Sequence, residues 1–490
     1  MSSSKLNIFA LDQANIRILH YTWFAFFMTF VVWLGLGPMM PFIKEALGLT
    51  DQQAKVLLIL NVAMTIPARI VVGMLVDKFG PRIMYAGVLI LGGVISIAFS
   101  WAQSYEQLAL MRFLSGFIGA GFVVGIRMIG EWFPAKQTGL AQGIYGGWGN
   151  FGSSAAAVTL PVLAANIGDA NGWRISLTVA SLLAIAYGVF YYTRVSNTPK
   201  GSTYFKPKKM GAMEITSGTD LAIYILMNVP LFLALALLTW KLAPTQLGLI
   251  SGTAAMVIYL VLTAIYLLQV WKIWNVNGHV LKKPVPEMQR YKFKQVAVLD
   301  WAYFVTFGTE LAVVSMLAML YVSWFDIPKV TAALLAGIYP FLNLMARPGG
   351  GWVSDRIGRR RTLIIVFAGI AASFLLLGLM SKEWPVWMVV GLTIVGGIFS
   401  KMGSGAVYAM VPLVQRRMTG QIAGMVGAFG NVGGVVFLTV NSLVPYNQFF
   451  LVIGISAALV FALIMLYLEE PKGQMVETLA DGTVQMIDVK

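Results

Sequence analysis

No cysteine occurs in the 490 residues, so disulfides, thiolate metal sites and cysteine nucleophiles are excluded. Histidine is nearly absent: only His20 and His279 are present, too few for a zinc site or a histidine proton relay. Charge is the third scarcity, with Asp, Glu, Lys and Arg making up 11% of the chain against roughly 25% in soluble proteins. No nucleophile–base pair, metal-ligand cluster or phosphate-cradling loop is evident, so neither an enzyme nor a metal or cofactor site is expected. The N-terminal twenty residues lack the charged, apolar and small-residue order of a cleaved signal peptide.

What remains is apolar. Hydrophobic residues make up 58% of the chain, mean hydropathy is +0.77, and runs of about 20 apolar residues, the length that crosses a bilayer, recur almost throughout. The pattern predicts an all-α polytopic membrane protein; a β-barrel would show short alternating segments. Spans are expected near 21–43, 54–76, 83–101, 107–129, 141–165 and 174–194, then 221–242 and 247–271, then 297–324, 329–352, 362–380, 385–410, 421–444 and 448–468. That is six, two and six, about 14 in all. The expected division is an N-terminal bundle (1–199), a cytoplasmic linker carrying two extra spans (200–295), a C-terminal bundle (296–470) and a cytoplasmic tail (471–490).

The net charge of +15 would suggest nucleic acid for a soluble chain. Here the basic residues gather in alternate loops, such as Lys78, Arg82, Lys136, Lys208, Lys209, Arg359 and Arg416. The expected partner is the lipid bilayer, not nucleic acid, and the positive-inside rule places these loops and both termini in the cytoplasm. Compact loops and short tails fit a prokaryotic inner (plasma) membrane.

The two sets of six are related by an internal repeat. GMLVDKFGPR at 73–82 matches GWVSDRIGRR at 351–360 at one offset of 278, which also aligns Arg69 with Arg347, Thr65 with Asn343 and Pro134 with Pro412. A glycine stripe at 139, 143, 146, 149 and 152 lands at offset 281 on glycines 420, 424, 427, 430 and 433, and Asn150 lands on Asn431. Parallel halves of this kind are a transporter architecture.

Arg69 and Arg347 fall inside apolar spans, where an arginine costs roughly 2.5–3.5 kcal/mol on insertion scales. Neither has an acid within a turn on its own helix. Two repeat-related guanidinia without local counter-ions suggest an anion site near the axis between the halves, since the planar charged fork suits an oxyanion. Asn150 and Asn431 are the polar exceptions in the two stripes, able to donate to an anion or to tie down a helix carbonyl. Gly149 and Gly430 either pack helices closely or leave room for a ligand of a few atoms. Tyr303 and Phe307, one turn apart, cover a planar anion or simply pack. Glu310 and Lys401 are also buried in spans; they pair with each other, or Glu310 binds a proton. Arg127 and Glu131 read as a local ion pair. Asp77 with Arg82, and Asp355 with Arg359, read as latches on cytoplasmic loops.

The two G-x-x-x-D-[KR]-x-G-x-R loops resemble the signature of the major facilitator superfamily, and RFLSGFIGAG at 112–121 resembles its fourth-helix motif. GIYGGWGNFGSS and AFGNVGGV closely resemble the paired signatures of the nitrate/nitrite porter (NarK-like) family. The resemblance implies a major facilitator fold, nitrate and nitrite as substrates, and an anion held by Arg69 and Arg347. It further implies roles for Asn150, for Tyr303 and Phe307 in a seventh-helix Y-x-x-x-F-G pattern, and for Phe122 as the fourth-helix phenylalanine near substrate. The two-span insert departs from the family's twelve-span plan. Members divide between nitrate/nitrite exchange and proton-coupled symport, and symport needs a titratable group, for which Glu310 is the sequence's candidate. A transporter of another small or organic anion, or a non-transporting anion sensor, is the remaining alternative.

Overall fold

The structure, a computed structural model, describes residues 7–133, 135–168, 171–201, 204, 212–282, 290–415, 418–470, 474–478 and 484–488. The first six spans are α1 and α2 (Ala14–Leu34, Leu36–Leu47), α3 (Asp51–Phe79), α4 (Pro81–Ser100), α5 and α6 (Tyr105–Ser115, Gly121–Trp132, joined by a 3₁₀ turn at Gly116–Ala120), α7 and α8 (Ala135–Asn150, Gly152–Ile167), and α9 (Gly172–Arg194). The insert is α10 (Gly218–Leu242) and α11 (Gly252–Asn277). The second six are α12 (Phe293–Phe325), α13 and α14 (Lys329–Phe341, Asn343–Ile357), α15 (Arg359–Leu377), α16 (Val386–Val414), α17 (Thr419–Leu443) and α18 (Tyr446–Tyr467). Thirteen of these stretches are long and apolar enough to cross a membrane; the glycine-rich rod α7–α8 occupies the place of the fifth expected span. The tail carries an antiparallel hairpin, β1 (Gln474–Thr478) on β2 (Val484–Asp488), which the sequence reading did not anticipate.

The halves meet through repeat-related pairs. α3 packs along α17, and α14 packs along α7, so each half lends its second span to the other half's fifth. α12 and α17 are the innermost spans, buried over nearly all of their length. Signature glycines Gly80 and Gly358 open α4 and α15 at φ +88° and +99°, a region that glycine enters without steric cost. Over each turn a side chain caps the new helix: Asn197 Oδ1 accepts from the Arg82 N–H at 2.9 Å, and the two Glu470 oxygens accept from the Arg359 and Arg360 N–H groups at 2.7 Å each.

The insert is one packed helix and one lipid-facing helix. α10 buries Leu221, Tyr224, Met227, Asn228, Leu231, Ala234 and Leu238, a three-and-four spacing that makes one face, against α12, α17 and α3. α11 buries only Ala255, Ile273 and Asn277, as expected of a span whose solvent is hydrocarbon.

A candidate anion site between the two halves

Arg69 on α3 and Arg347 on α14 are both sealed from solvent, at 0% and 2% exposure. Arg69 donates Nε to the Gly119 carbonyl at 3.2 Å and Nη1 to the Gly427 carbonyl of the other half at 2.7 Å. Arg347 donates Nη2 to the Tyr303 hydroxyl at 3.0 Å. Each guanidinium keeps one terminal nitrogen, Arg69 Nη2 and Arg347 Nη1, buried without a hydrogen-bond partner. Unpaired buried charge of this kind is costly, and here two like charges are near enough to act on each other.

Two rings hold the pair. The Arg69 carbon Cζ lies 5.2 Å from the Phe122 ring and 5.0 Å from Phe307; Arg347 Cζ lies 5.4 and 5.9 Å from the same rings. Both cations therefore sit over aromatic faces, a favourable placement. Tyr303 stacks on Phe307 at 5.0 Å, and Tyr408 meets both Phe122 and Tyr303 edge-on. Flat aromatic walls and two unpartnered donors thus meet between the two halves.

The glycine stripes make room for this assembly. A Cβ on Gly146 would lie 2.9 Å from Arg347 Nε, and one on Gly427 would lie 3.2 Å from Arg69 Nη1. Each stripe thus clears space for the arginine of the opposite half. Gly149 backs onto the Phe26 ring and Gly430 onto Tyr303 and Phe307; Gly152 meets the Phe27 carbonyl and Gly433 the Phe304 carbonyl. Phe26 with Tyr303, and Phe27 with Phe304, share an offset of 277, so the repeat extends to the first and seventh spans. Gly139 lies outside the residues whose side-chain surroundings are described.

The two asparagines part ways. Asn431 donates to the Gly427 carbonyl at 3.0 Å, the same carbonyl that receives Arg69. Asn150 reaches across to Glu310 Oε1 at 3.4 Å, and Asn343 donates to that oxygen at 2.6 Å. Glu310 acts electrostatically on both Arg347 and Lys401. The expected direct Glu310–Lys401 pair is not made: Lys401 Nζ lies 3.5 Å over the Tyr339 ring with no hydrogen-bond partner. A cation–π contact replaces the ion pair.

At the basic end, Asp355 holds Arg359 at 3.0 Å and Arg127 holds Glu131 at 2.8 Å, both as expected. Asp77 differs: it finds Arg127 at 3.4 Å instead of Arg82, and it borders Gly420 of the other half. Arg82, in the first turn of α4, is turned toward Tyr192, donating to its carbonyl at 2.8 Å and lying over its ring. Tyr204 completes the cluster. Its hydroxyl, which burial pushes up, donates to the Val76 carbonyl at 2.7 Å and lies beside Arg127. The sequence reading missed Tyr204, Tyr408 and Asp300. Tyr408 was one aromatic among many, and Asp300 sat too near a span boundary to stand out.

Comparison with known proteins places this geometry. The model of the Major Facilitator Superfamily matches residues 22–276 and 299–483. The chain is 43% identical over 464 residues to the nitrate/nitrite transporter NrtP of Nostoc punctiforme, covering 93% of each chain. It is 41% identical to the protein of the same name from Picosynechococcus sp., covering 94% of each, and 26% identical to a probable nitrate/nitrite antiporter NarK1 of Thermus thermophilus, covering 86% of this chain and 83% of that one. The xylose transporter XylE from E. coli, in a partially occluded inward-open conformation, shares the fold with a TM-score of 0.61 at 14% identity, covering 94% of this chain and 100% of that chain. The chain belongs to the major facilitator superfamily and, within it, to the nitrate/nitrite porter family.

Proposed function

We propose that this protein is a secondary transporter that carries nitrate and nitrite across the membrane by alternating access, with the anion held between Arg69 and Arg347. One observation carries the reading: two sealed guanidinia from opposite halves, each with a terminal donor unpartnered, set against the faces of Phe122 and Phe307. An oxyanion there would take both free donors and bridge the halves. Binding would thereby favour the closed form over open ones, which is the differential affinity that a population shift requires. Tyr303 orients Arg347; Asn431 and the Gly427 carbonyl orient Arg69; Gly149 and Gly430 keep the walls close. Asp77 and Asp355 brace the basic end, which the positive-inside rule assigns to the cytoplasm together with both termini. The chain is multi-pass by its apolar spans, and the compact loops fit a prokaryotic plasma membrane.

Two driving modes fit this site. In exchange, a second anion resets the arginines and no titratable group is needed. In symport, a group must change charge, and Glu310, set between Asn150 and Asn343, is one candidate. The deciding experiment follows labelled nitrate into sealed liposomes containing the purified protein, either loaded with nitrite or empty under an inward proton gradient. Uptake only with internal nitrite means exchange; uptake under the gradient alone means symport. Absence of nitrate movement in both, with binding of another anion or with none, would overturn the reading in favour of a different anion carrier or a sensor.

A further inference from the structure

The anion site leaves one acid unexplained. Asp300, on α12, is fully buried, and among the described residues neither of its carboxyl oxygens has a hydrogen-bond partner. Glu310, buried on the same helix, has two amide donors. Asp300, Tyr303, Phe307 and Glu310 are spaced three, four and three apart, so they line one face. The two acids are about 15 Å apart along the axis, with the Tyr303–Phe307 wall of the anion site between them. A bare carboxylate at Asp300 would carry a desolvation penalty of several kcal/mol. The neutral acid carries only the smaller cost of an unsatisfied polar group.

Among the described residues, no cation makes a hydrogen bond or an ion pair with Asp300. The titratable groups that feel Asp300 from neighbouring elements are Tyr224 of α10 and Tyr408 of α16. α17 and α18 contain no Asp, Glu, His, Lys or Arg. The one charged residue of α16 is Lys401, about two turns beyond Tyr408 toward Glu310. On α2 and α13 the charges, Lys44, Glu45 and Lys329, lie at the far end. On α3, Arg69 donates to Gly119 and Gly427, Asp77 pairs with Arg127, and Lys78 lies over the Phe79 ring. On α10, Asp220 accepts from Ser217, and it acts with Glu214 and Tyr224 on Tyr291; these polar groups lead from Asp300 toward the basic end. Lys292 and Lys294, near the start of α12, are taken by Glu469.

We propose that Asp300 is a proton-binding site of the transport cycle, and that the two-span insert supplies its cover through Tyr224 of α10. The proposal rests on the transport reading above. When the basic end opens, water reaches Asp300 and the carboxylate is stable. When the anion draws the halves together, one carboxylate oxygen takes a proton from hydronium, which the buffer acid replenishes, and α10 and α12 seal the neutral acid. Anion binding and proton uptake are then linked, as any two ligands favouring one state must be.

The test uses the full-length protein in detergent, titrated with nitrate in two buffers of different ionisation enthalpy at the same pH, so that calorimetry counts the protons taken up. The wild type should take up close to one proton per nitrate near neutral pH. Asp300→Asn should abolish that uptake, Asp300→Glu should restore it, and Glu383→Gln, at an exposed acid between α15 and α16, should keep it. Size-exclusion profiles and infrared detection of a protonated carboxyl, lost in Asp300→Asn, separate misfolding from loss of the site. Unchanged uptake in Asp300→Asn, or uptake lost in Glu310→Gln alone, overturns the proposal. Wild-type binding without proton uptake also overturns it while leaving the anion site standing; no binding of nitrate or nitrite at all would instead overturn the transport reading.

Discussion

The two halves share a scaffold and differ in their polar chemistry. Arg69 and Arg347, Gly146 and Gly427, Gly149 and Gly430, and Gly80 and Gly358 do the same work at repeat-related positions. Around them the partners diverge. Where the first half has Phe26 and Trp33, the second has Tyr303 and Glu310, and the acids buried within spans at the centre, Asp300 and Glu310, both belong to the second half. The backbone architecture that brings two cations together is thus symmetric. Gly119 and Phe122 of the first half share the arginines with Tyr303, Phe307 and Gly427 of the second, whereas the two central acids lie on one side. A carrier needs symmetry to present one site alternately to two faces, but it needs only one set of titrating groups.

The sharpest way to break the comparison is to replace each arginine with lysine. Lysine keeps the charge and loses the fork. Each variant should weaken nitrate binding by roughly 10- to 100-fold, because the one charge-assisted hydrogen bond from its free donor is worth about 1.5–3 kcal/mol. Arg69→Lys should be the worse of the two, since Arg69 also clamps carbonyls of Gly119 and Gly427. Equilibrium binding of nitrate measures both. Near-wild-type affinity in the pair would remove the anion from this position.

A smaller effect is expected from adding a methyl group to the stripes. Gly146→Ala and Gly427→Ala would each press on an arginine of the opposite half, at 2.9 and 3.2 Å. Overpacking at such contacts costs about 1–3 kcal/mol, so affinity should fall about tenfold or more in both. Gly424→Ala meets nothing within 4 Å and should bind as the wild type does. If Gly424→Ala were as damaging as Gly427→Ala, the stripe would act through helix flexibility, and the clearance argument would fail.

Much of this was legible in the sequence because it follows from period and charge. The span pattern, the 278 offset and the isolated arginines need no coordinates. What stayed hidden depends on which neighbour a side chain meets. Asp77 and Arg82 are close in sequence, yet Asp77 turns to Arg127 two spans away, because the φ-positive Gly80 swings Arg82 onto Tyr192. Lys401 and Glu310 suit an ion pair by charge and depth, but the lysine lies over the Tyr339 ring instead. The kinship of the first and seventh spans rests on a few aromatics, such as Phe27 and Phe304, and becomes plain only where their carbonyls meet Gly152 and Gly433. The insert's packed face is readable as a periodicity on α10; which spans it packs against, α3, α12 and α17, is not.

The smallest expected difference lies in the two signature turns. α4 is capped by one neutral amide oxygen, Asn197, whereas α15 is capped by both oxygens of a carboxylate, Glu470. A lost cap costs about 1 kcal/mol, and an anion at a helix N-terminus adds about 0.3–1 kcal/mol through the dipole. Glu470→Ala should therefore lower the thermal unfolding midpoint in detergent more than Asn197→Ala does. Glu470→Gln should fall between Glu470→Ala and the wild type, because one oxygen acceptor survives and the charge does not. Salt gives a further check, since only the Glu470 contribution contains a charge and only that part should shrink as ionic strength rises. Equal losses in the two alanine variants, insensitive to salt, would mean that the caps act by shape alone and that the charge on the second half's turn is incidental to its stability.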